Sequence, residues 1–357
     1  LILMGVTVVY DVIGGMRAVV ISDVIQVLLI VAAVAASLVM LIYALGGVEP
    51  LLNNRTEALN PSWGLVDGDS YGFWPMLIGG FFLYMAYYGC DQSQAQRVLA
   101  ARSERDANRV LLLNGMLRFP LVLLYCVLGL ALAAYASIDA SFVAALPQTA
   151  GGTPNFNLVF PSYVLANFAP GVVGLVMAGI LAAAMSSIDS ALNSLSATTV
   201  EDYVDRRGRF SERTLFVVSK LATVGWGLFA VVFSFQVERI APTVLEAINK
   251  IGSMVNGPLL ALFLVAAFFP AVGTRRAVSG FFLGVIGNCV LWLGFPEVSW
   301  LWWNVAGCLV ALAVSLIGAG VSITLPKVLP ARRDVVRLTA MAAGILAACV
   351  LLQTLAA

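Results

Sequence analysis

The residues best suited to chemistry lie in one apolar stretch, Ala182-Ala183-Ala184-Met185-Ser186-Ser187-Ile188-Asp189-Ser190-Ala191-Leu192-Asn193-Ser194. At about 100° per residue, Ser186, Ser187, Asp189, Ser190, Asn193 and Ser194 fall within an arc of about 160°, while Met185, Ile188 and Leu192 point elsewhere. One helix face is thus lined with oxygen. Hydroxyls, amide carbonyls and a carboxylate at close quarters are what a hard alkali cation needs to replace its water shell. Hydrogen bonding between helices by Ser and Asn is the competing explanation of such a face.

Four more ionisable residues fall at or near membrane depth. Asp23 lies in Ile21-Ser22-Asp23-Val24-Ile25-Gln26, where an acid at the bilayer centre costs about 2.5 to 3.5 kcal/mol on insertion scales and calls for a partner or a role. An interfacial, snorkelling Asp is the alternative. Arg118, Lys220 and Lys250 are the cations. Lys220, close after Arg213, can reach the interface by snorkelling, and Lys250 stands one turn after Glu246, at the spacing of an i,i+4 ion pair. His is absent, which removes imidazole bases, His-ligated zinc or haem, and a Ser-His-Asp triad. No paired acid-base motif remains to support an enzyme. Cys90, Cys126, Cys289, Cys308 and Cys349 sit in apolar stretches at no metal-ligand spacing and read as packing residues.

The elements that must hold these residues are membrane helices. The chain is 61% hydrophobic and 11% charged over 357 residues, with a mean hydropathy of +0.96, far from a soluble domain. At about 20 apolar residues per crossing there is room for roughly ten helices. A net charge of +1 gives no reason to expect nucleic acid. Apolar runs lie near 1–13, 18–46, 72–90, 110–137, 160–197, 214–236, 243–270, 277–295, 300–325 and 336–357. The first covers only about 20 Å, so the expectation is about nine full spans plus one partial N-terminal helix in a single transmembrane domain, 1–357. The run opens without an initiator Met or a basic cleavable leader, and the chain is expected to be part of a longer protein.

Loop charge sets the expected orientation. Apart from Arg55 and Arg239, the loop cations fall at Arg17 and in 91–109, 201–213, 271–276 and 326–337, on alternate connections, which the positive-inside rule makes cytoplasmic. Pro75, Pro120, Pro170, Gly257 and Pro258 within spans mark either unwound backbone or close helix packing.

Three ordered motifs carry a resemblance. Gly14-Gly15-Met16-Arg17-Ala18-Val19-Val20-Ile21-Ser22-Asp23-Val24-Ile25-Gln26 resembles the signature of the sodium/solute symporter family, which includes the sodium-coupled sugar, proline, sialic acid and monocarboxylate transporters. Asp91-Gln92-Ser93-Gln94-Ala95-Gln96-Arg97-Val98-Leu99-Ala100-Ala101 resembles its loop after the broken sixth core helix, and Met185 through Ser194 its sodium-site helix. The resemblance implies an all-α polytopic membrane protein with a partial inverted-repeat core of five plus five helices. Residues 14–46 would be the fifth core helix, 72–270 the second repeat and 277–357 three peripheral helices, the first core helix being absent. It further implies sodium as the coupling ion, with no other cofactor, held by the Ala183 carbonyl and the Ser186 and Ser187 hydroxyls. A second sodium would be bound by Asp23, Ser186, Asp189 and Ser190; Asp189 stands where such members often carry Ser or Thr, which leaves the ion count open. Tyr87 and Tyr88 match the gate and stacking aromatics, Arg118 a basic residue of the seventh core helix, and Lys250 a substrate-contacting position that is glutamine in sugar carriers. A buried ammonium offers donors and charge but no acceptor, so it suits a carboxylate better than sugar hydroxyls. The expected activity is sodium-coupled symport of a small solute, a carboxylate, by alternating access in a bacterial cytoplasmic (inner) membrane. A symporter-like sensor domain of a larger signalling protein is the alternative.

Overall fold

Backbone is described for residues 2–53, 60–66, 69–148, 152–235, 244–319, 323–324 and 332–354 of a computed structural model, with side chains at 2–4, 10–20, 52–53, 244–247, 332 and 348–354 outside the description. In chain order the helices are α1 (Ile2–Ala44), α2 (Glu49–Asn53), α3 (Gly80–Cys90), α4 (Gln92–Leu99), α5 (Glu104–Ile138), α6 (Ala140–Ala144), α7 (Val159–Asn167), α8 (Pro170–Thr198), α9 (Glu212–Ser234), α10 (Val244–Phe268), α11 (Thr274–Gly294), α12 (Leu301–Leu316) and α13 (Arg332–Thr354). Among the described residues there is no strand beyond one isolated bridge, Gln148 with Pro154. Lipid offers no partner to a backbone N–H or C=O, so apolar segments of this length close their hydrogen bonds within themselves.

Among the described residues, six stretches are long and apolar enough to cross a membrane: Ile21–Ala44, Glu104–Ile138, Pro170–Val204, Glu212–Ser234, Ile248–Phe268 and Thr274–Gly294. Their outward side chains are apolar: Leu28 is 66% exposed, Leu228 66% and Leu293 76%, a surface that water would not tolerate and lipid covers.

Two expectations about the spans change. The pattern predicts a short helix over 1–13 and a separate span over 18–46, with Arg17 on the connection. The backbone is instead one helix from Ile2 to Ala44. Gly14-Gly15 disfavours helix by only about 1 kcal/mol per glycine, and no proline interrupts the ladder; the Arg17 side chain lies outside the described residues. Conversely, the run 160–197 is broken. Phe168 and Ala169 are extended, with ψ 149° at both, and Pro170 opens α8 at its first turn, because the residue before a proline is pushed out of the α region and proline fits N1. The run 72–90 is a π-helical turn, Pro75–Gly79, leading into α3.

The chain forms two compact units, Leu1–Thr56 with Leu117–Ile240, and Glu57–Met116 with Ala241–Ala357. In the first, α1 packs along α8, and Ala33, Val34, Leu41, Leu132, Tyr163 and Val176 form its core. In the second, α10, α11 and α12 pack together. A Cβ at Gly257 would lie 2.2 Å from the Asn304 carbonyl oxygen, so only glycine permits this crossing of α10 and α12. Asn288 of α11 donates to the carbonyls of Ser253 (3.3 Å) and Met254 (2.9 Å), and Asn304 of α12 to the Ser253 hydroxyl at 3.0 Å.

The loop before α3 is latched to the start of α12. Ser299 donates its N–H to Gly64 O (2.8 Å) and its hydroxyl to Ser70 O (2.6 Å), and Trp302 Nε1 donates to Trp63 O at 2.7 Å. Trp63 stacks on Trp74 at 4.8 Å and on Trp302 at 6.4 Å.

Candidate functional site

The oxygen-lined face of α8 meets α1 at Ser186. A Cβ at Gly179 would come within 2.8 Å of the Ala33 Cβ, so the glycine lets the two helices approach closely. Further along the same seam the Ser186 hydroxyl donates to Asp23 Oδ1. Contacts 33 with 179 and 23 with 186 fix an antiparallel pairing.

The neighbouring hydroxyls bond back onto their own helix. Ser187 donates to Ala183 O at 3.3 Å, Ser190 to Ser186 O at 2.9 Å and Ser194 to Ser190 O at 2.8 Å. A hydroxyl that spends its proton on an i−4 carbonyl keeps both lone pairs. The seam therefore accumulates acceptors. Asp189 is completely buried, one turn past Ser186 and beside Ser190, within the 5 to 6 Å that separates i,i+3 neighbours.

Of the residues expected at a cation site, Asp23 and Ser186 are in contact, Ser190 is bonded to the Ser186 backbone, and Asp189 sits on the buried side of the same turn. Ser187 is exposed, although its hydroxyl reaches the expected Ala183 carbonyl. Gln26 was not singled out. It is 7% exposed, one turn along α1 from Asp23, and its Oε1 is buried without a hydrogen-bond partner. The i,i+3 spacing from Asp23 was the available signal.

The expected substrate and gate residues divide between the units. Tyr87 and Tyr88 end α3 edge to face at 5.2 Å, and Tyr84, one turn earlier, stacks on Tyr88 at 6.2 Å. Gln94 Nε2 donates to the Tyr87 hydroxyl at 2.7 Å, and Asp91 caps α4 by accepting from Ser93 N at 2.7 Å. Tyr84 extends the pair to a three-ring cluster at i, i+3 and i+4, a spacing legible in advance. Lys250 is half-buried on α10, in the same unit as these tyrosines. Its suggested partner Glu246 lies outside the described side chains. Arg118 is half-buried on α5, in the first unit. The Lys220 ammonium lies 4.2 Å over the Phe216 ring, toward the N-terminal end of α9, the direction snorkelling requires.

The model of the sodium:solute symporter family matches residues 1–284. The chain belongs to the sodium:solute symporter family. Within it, the chain is 29% identical over 305 residues to the sodium-dependent multivitamin transporter of Oryctolagus cuniculus, covering 81% of this chain and 45% of the relative. It is 30% identical over 295 residues to sodium-coupled monocarboxylate transporter 1 of Homo sapiens, covering 80% and 46%. To the sodium/sialic acid symporter NanT of Aliivibrio fischeri it is 27% identical over 327 residues, covering 87% and 61%. This symporter-family chain thus spans about half the length of the curated relatives it matches. Its fold is shared with a solved Na+-coupled sialic acid symporter in a substrate-bound, outward-open state, at a TM-score of 0.77 and 23% identity, over 91% of this chain and 67% of that one. The apolar helices and the family together make it an integral membrane protein.

Proposed function

We propose that this chain is part of a sodium-coupled symporter for a small organic solute bearing a carboxylate, working by alternating access with sodium as the coupling ion. The observation that carries the reading is the contact of Asp23 with Ser186 across α1 and α8. Around it stand the acceptors of Ser187, Ser190 and the Ala183 carbonyl. The site is all oxygen and carries charge, which fits Na+. The roles proposed are cation ligation by Ala183, Ser186, Ser187, Asp23, Asp189 and Ser190.

The substrate assignment rests on Lys250. At the position the resemblance assigns to a substrate contact, an ammonium offers donors and charge but no acceptor, which suits a carboxylate, and the tyrosines at the end of α3 are proposed as gate and stacking wall. Arg118 is proposed as a second basic residue of the substrate path. The basic loops at 91–109, 201–213, 271–276 and 326–337 are proposed to face the cytoplasm. Uptake by the full-length protein with and without sodium, over a panel of carboxylates, sugars and amino acids, tests the whole reading. Sodium-stimulated uptake of carboxylates is expected, abolished by Lys250→Gln with expression and sodium binding retained. Sodium-independent uptake removes the coupling assignment; sodium-driven uptake of neutral solutes alone removes the carboxylate.

A further inference from the structure

We propose that a groove between the first turns of α5 and α13 binds the phosphate of an anionic lipid headgroup. The groove has a volume of about 560 Å³, and Arg105, Arg109, Arg333 and Arg337 line it together with Glu104 and Asp334. Four guanidinium groups against two carboxylates leave the lining net positive. Arg333 and Arg337 both approach Asp334 at 3.7 Å, and Arg109 approaches Asp106 at 3.7 Å. These distances exceed the 2.7 to 2.9 Å of a charge-assisted bond, so the acids steer the arginines without using up their donors, of which each fork has five.

Position selects the ligand. The 35 residues of α5 rise about 52 Å, against a hydrocarbon core of about 30 Å, so its first turns stand at headgroup level. α13 begins beside them, and both helix N-termini add positive potential there. The inner end of the groove is apolar: Leu112 lines it, and one turn deeper along α5 the Leu338 side chain lies 3.5 Å from the position a Cβ would take on Gly115. An arginine-lined mouth above an apolar floor matches a lipid, with phosphate outside and glycerol and acyl chain inside. A merely solvated charged face needs no such floor.

The test uses the purified full-length protein in detergent, titrated with phosphatidylglycerol, phosphatidylcholine or inorganic phosphate and read by native mass spectrometry and thermal stability. Phosphatidylglycerol is expected to bind in preference to phosphatidylcholine. Arg333→Gln with Arg337→Gln should raise its half-saturation about thirtyfold, at the usual contribution of a basic residue near a membrane surface, while Arg333→Lys with Arg337→Lys should keep most of the binding. Asp334→Asn should tighten it, the opposite of what loss of a structural ion pair does. If inorganic phosphate stabilises the protein with the same sensitivity to the arginines, the site stands and its ligand is a soluble phosphate. Equal binding of both lipids, or a double Gln variant that binds phosphatidylglycerol like the wild type, overturns the proposal.

Discussion

The α1–α8 seam and the α10–α12 junction both bury polar side chains among apolar helices, and they differ in charge. At the junction Asn288 and Asn304 are completely buried, and their N–H groups are spent on α10 and α12. Each keeps its amide oxygen without a partner, a penalty of about 1 to 3 kcal/mol that a neutral group can carry. At the seam the polar groups include two carboxylates, Asp189 buried and Asp23 half-buried, for which burial is far more costly; Ser186 gives its proton to Asp23, while Ser187, Ser190 and Ser194 give theirs to backbone carbonyls. Buried neutral amides join helices. Acids set among hydroxyls and backbone carbonyls have the make-up proposed above for a cation site, and charge is what distinguishes the seam from the junction.

The sharpest way to break the comparison is Asp23→Asn in the full-length protein. Interactions with a charged group contribute about 1.5 to 3 kcal/mol, so the sodium half-saturation of uptake should rise on the order of tenfold to a hundredfold, with expression retained; an unchanged value would make the contact with Ser186 structural. Gly257→Ala at the junction should do the reverse. Its Cβ would press on the Asn304 backbone, and overpacking costs about 1 to 3 kcal/mol, so thermal stability should drop while the sodium half-saturation of the remaining uptake stays put. Ser186→Ala and Ser187→Ala each remove one hydroxyl, about 1 kcal/mol. They should weaken sodium activation severalfold and leave the melting temperature nearly unchanged. Asn288→Leu is expected to lose about 0.6 kcal/mol, the average for polar contacts between membrane helices, read by denaturation, without any effect on sodium. Smallest of all is a reference outside both regions. Asp139, capping α6, is held below the ordinary carboxylate range by the Ser141 hydroxyl and the Phe142 N–H. Its contribution is therefore complete above the ordinary carboxylate pKa of about 3.9 and is lost as pH falls through the lower, folded value. Protection of the Ser141 and Phe142 amides, taken relative to intrinsic exchange at each pH, should fall over that acid limb in the wild type, and Asp139→Asn should remove that change.

Much of this was legible in the residues. The oxygen face of Ser186 to Ser194 follows from helical spacing alone, and the apolar runs that become α5, α9, α10 and α11 follow from hydropathy. That Asp23 meets Ser186, 163 residues away, came from the family resemblance, because spacing within one helix says nothing about register against another. The same limit hid the Asn288–Ser253–Asn304 junction, whose members read singly as polar residues in apolar runs. Hydropathy also passes smoothly over Phe168-Ala169, since both flanks are apolar; only Pro170 hinted at the break. The π-helical turns at Pro75–Gly79 and Thr199–Val204 change the backbone register and not the side-chain pattern; Pro75 marked the first as a place of irregular backbone, and no residue marked the second. The arginines of the α5–α13 groove were read as an orientation signal, and their convergence needed the two helices side by side.

The tryptophan latch has a consequence in time. Ser70 and Ser299 are 229 residues apart, and a ribosome adding about 5 to 20 residues per second needs roughly 10 to 50 s to cover that distance. Through that interval the loop before α3 has been made and its two anchoring residues, Ser299 and Trp302, have not. The carbonyls of Trp63, Gly64 and Ser70 must be served by water, and Trp63 has only Trp74 to stack on. Arrival of Trp302 closes both at once, so the second unit is begun early in synthesis and sealed late, and a nascent chain stalled before residue 299 would present an open loop to whatever surveys membrane proteins as they are made.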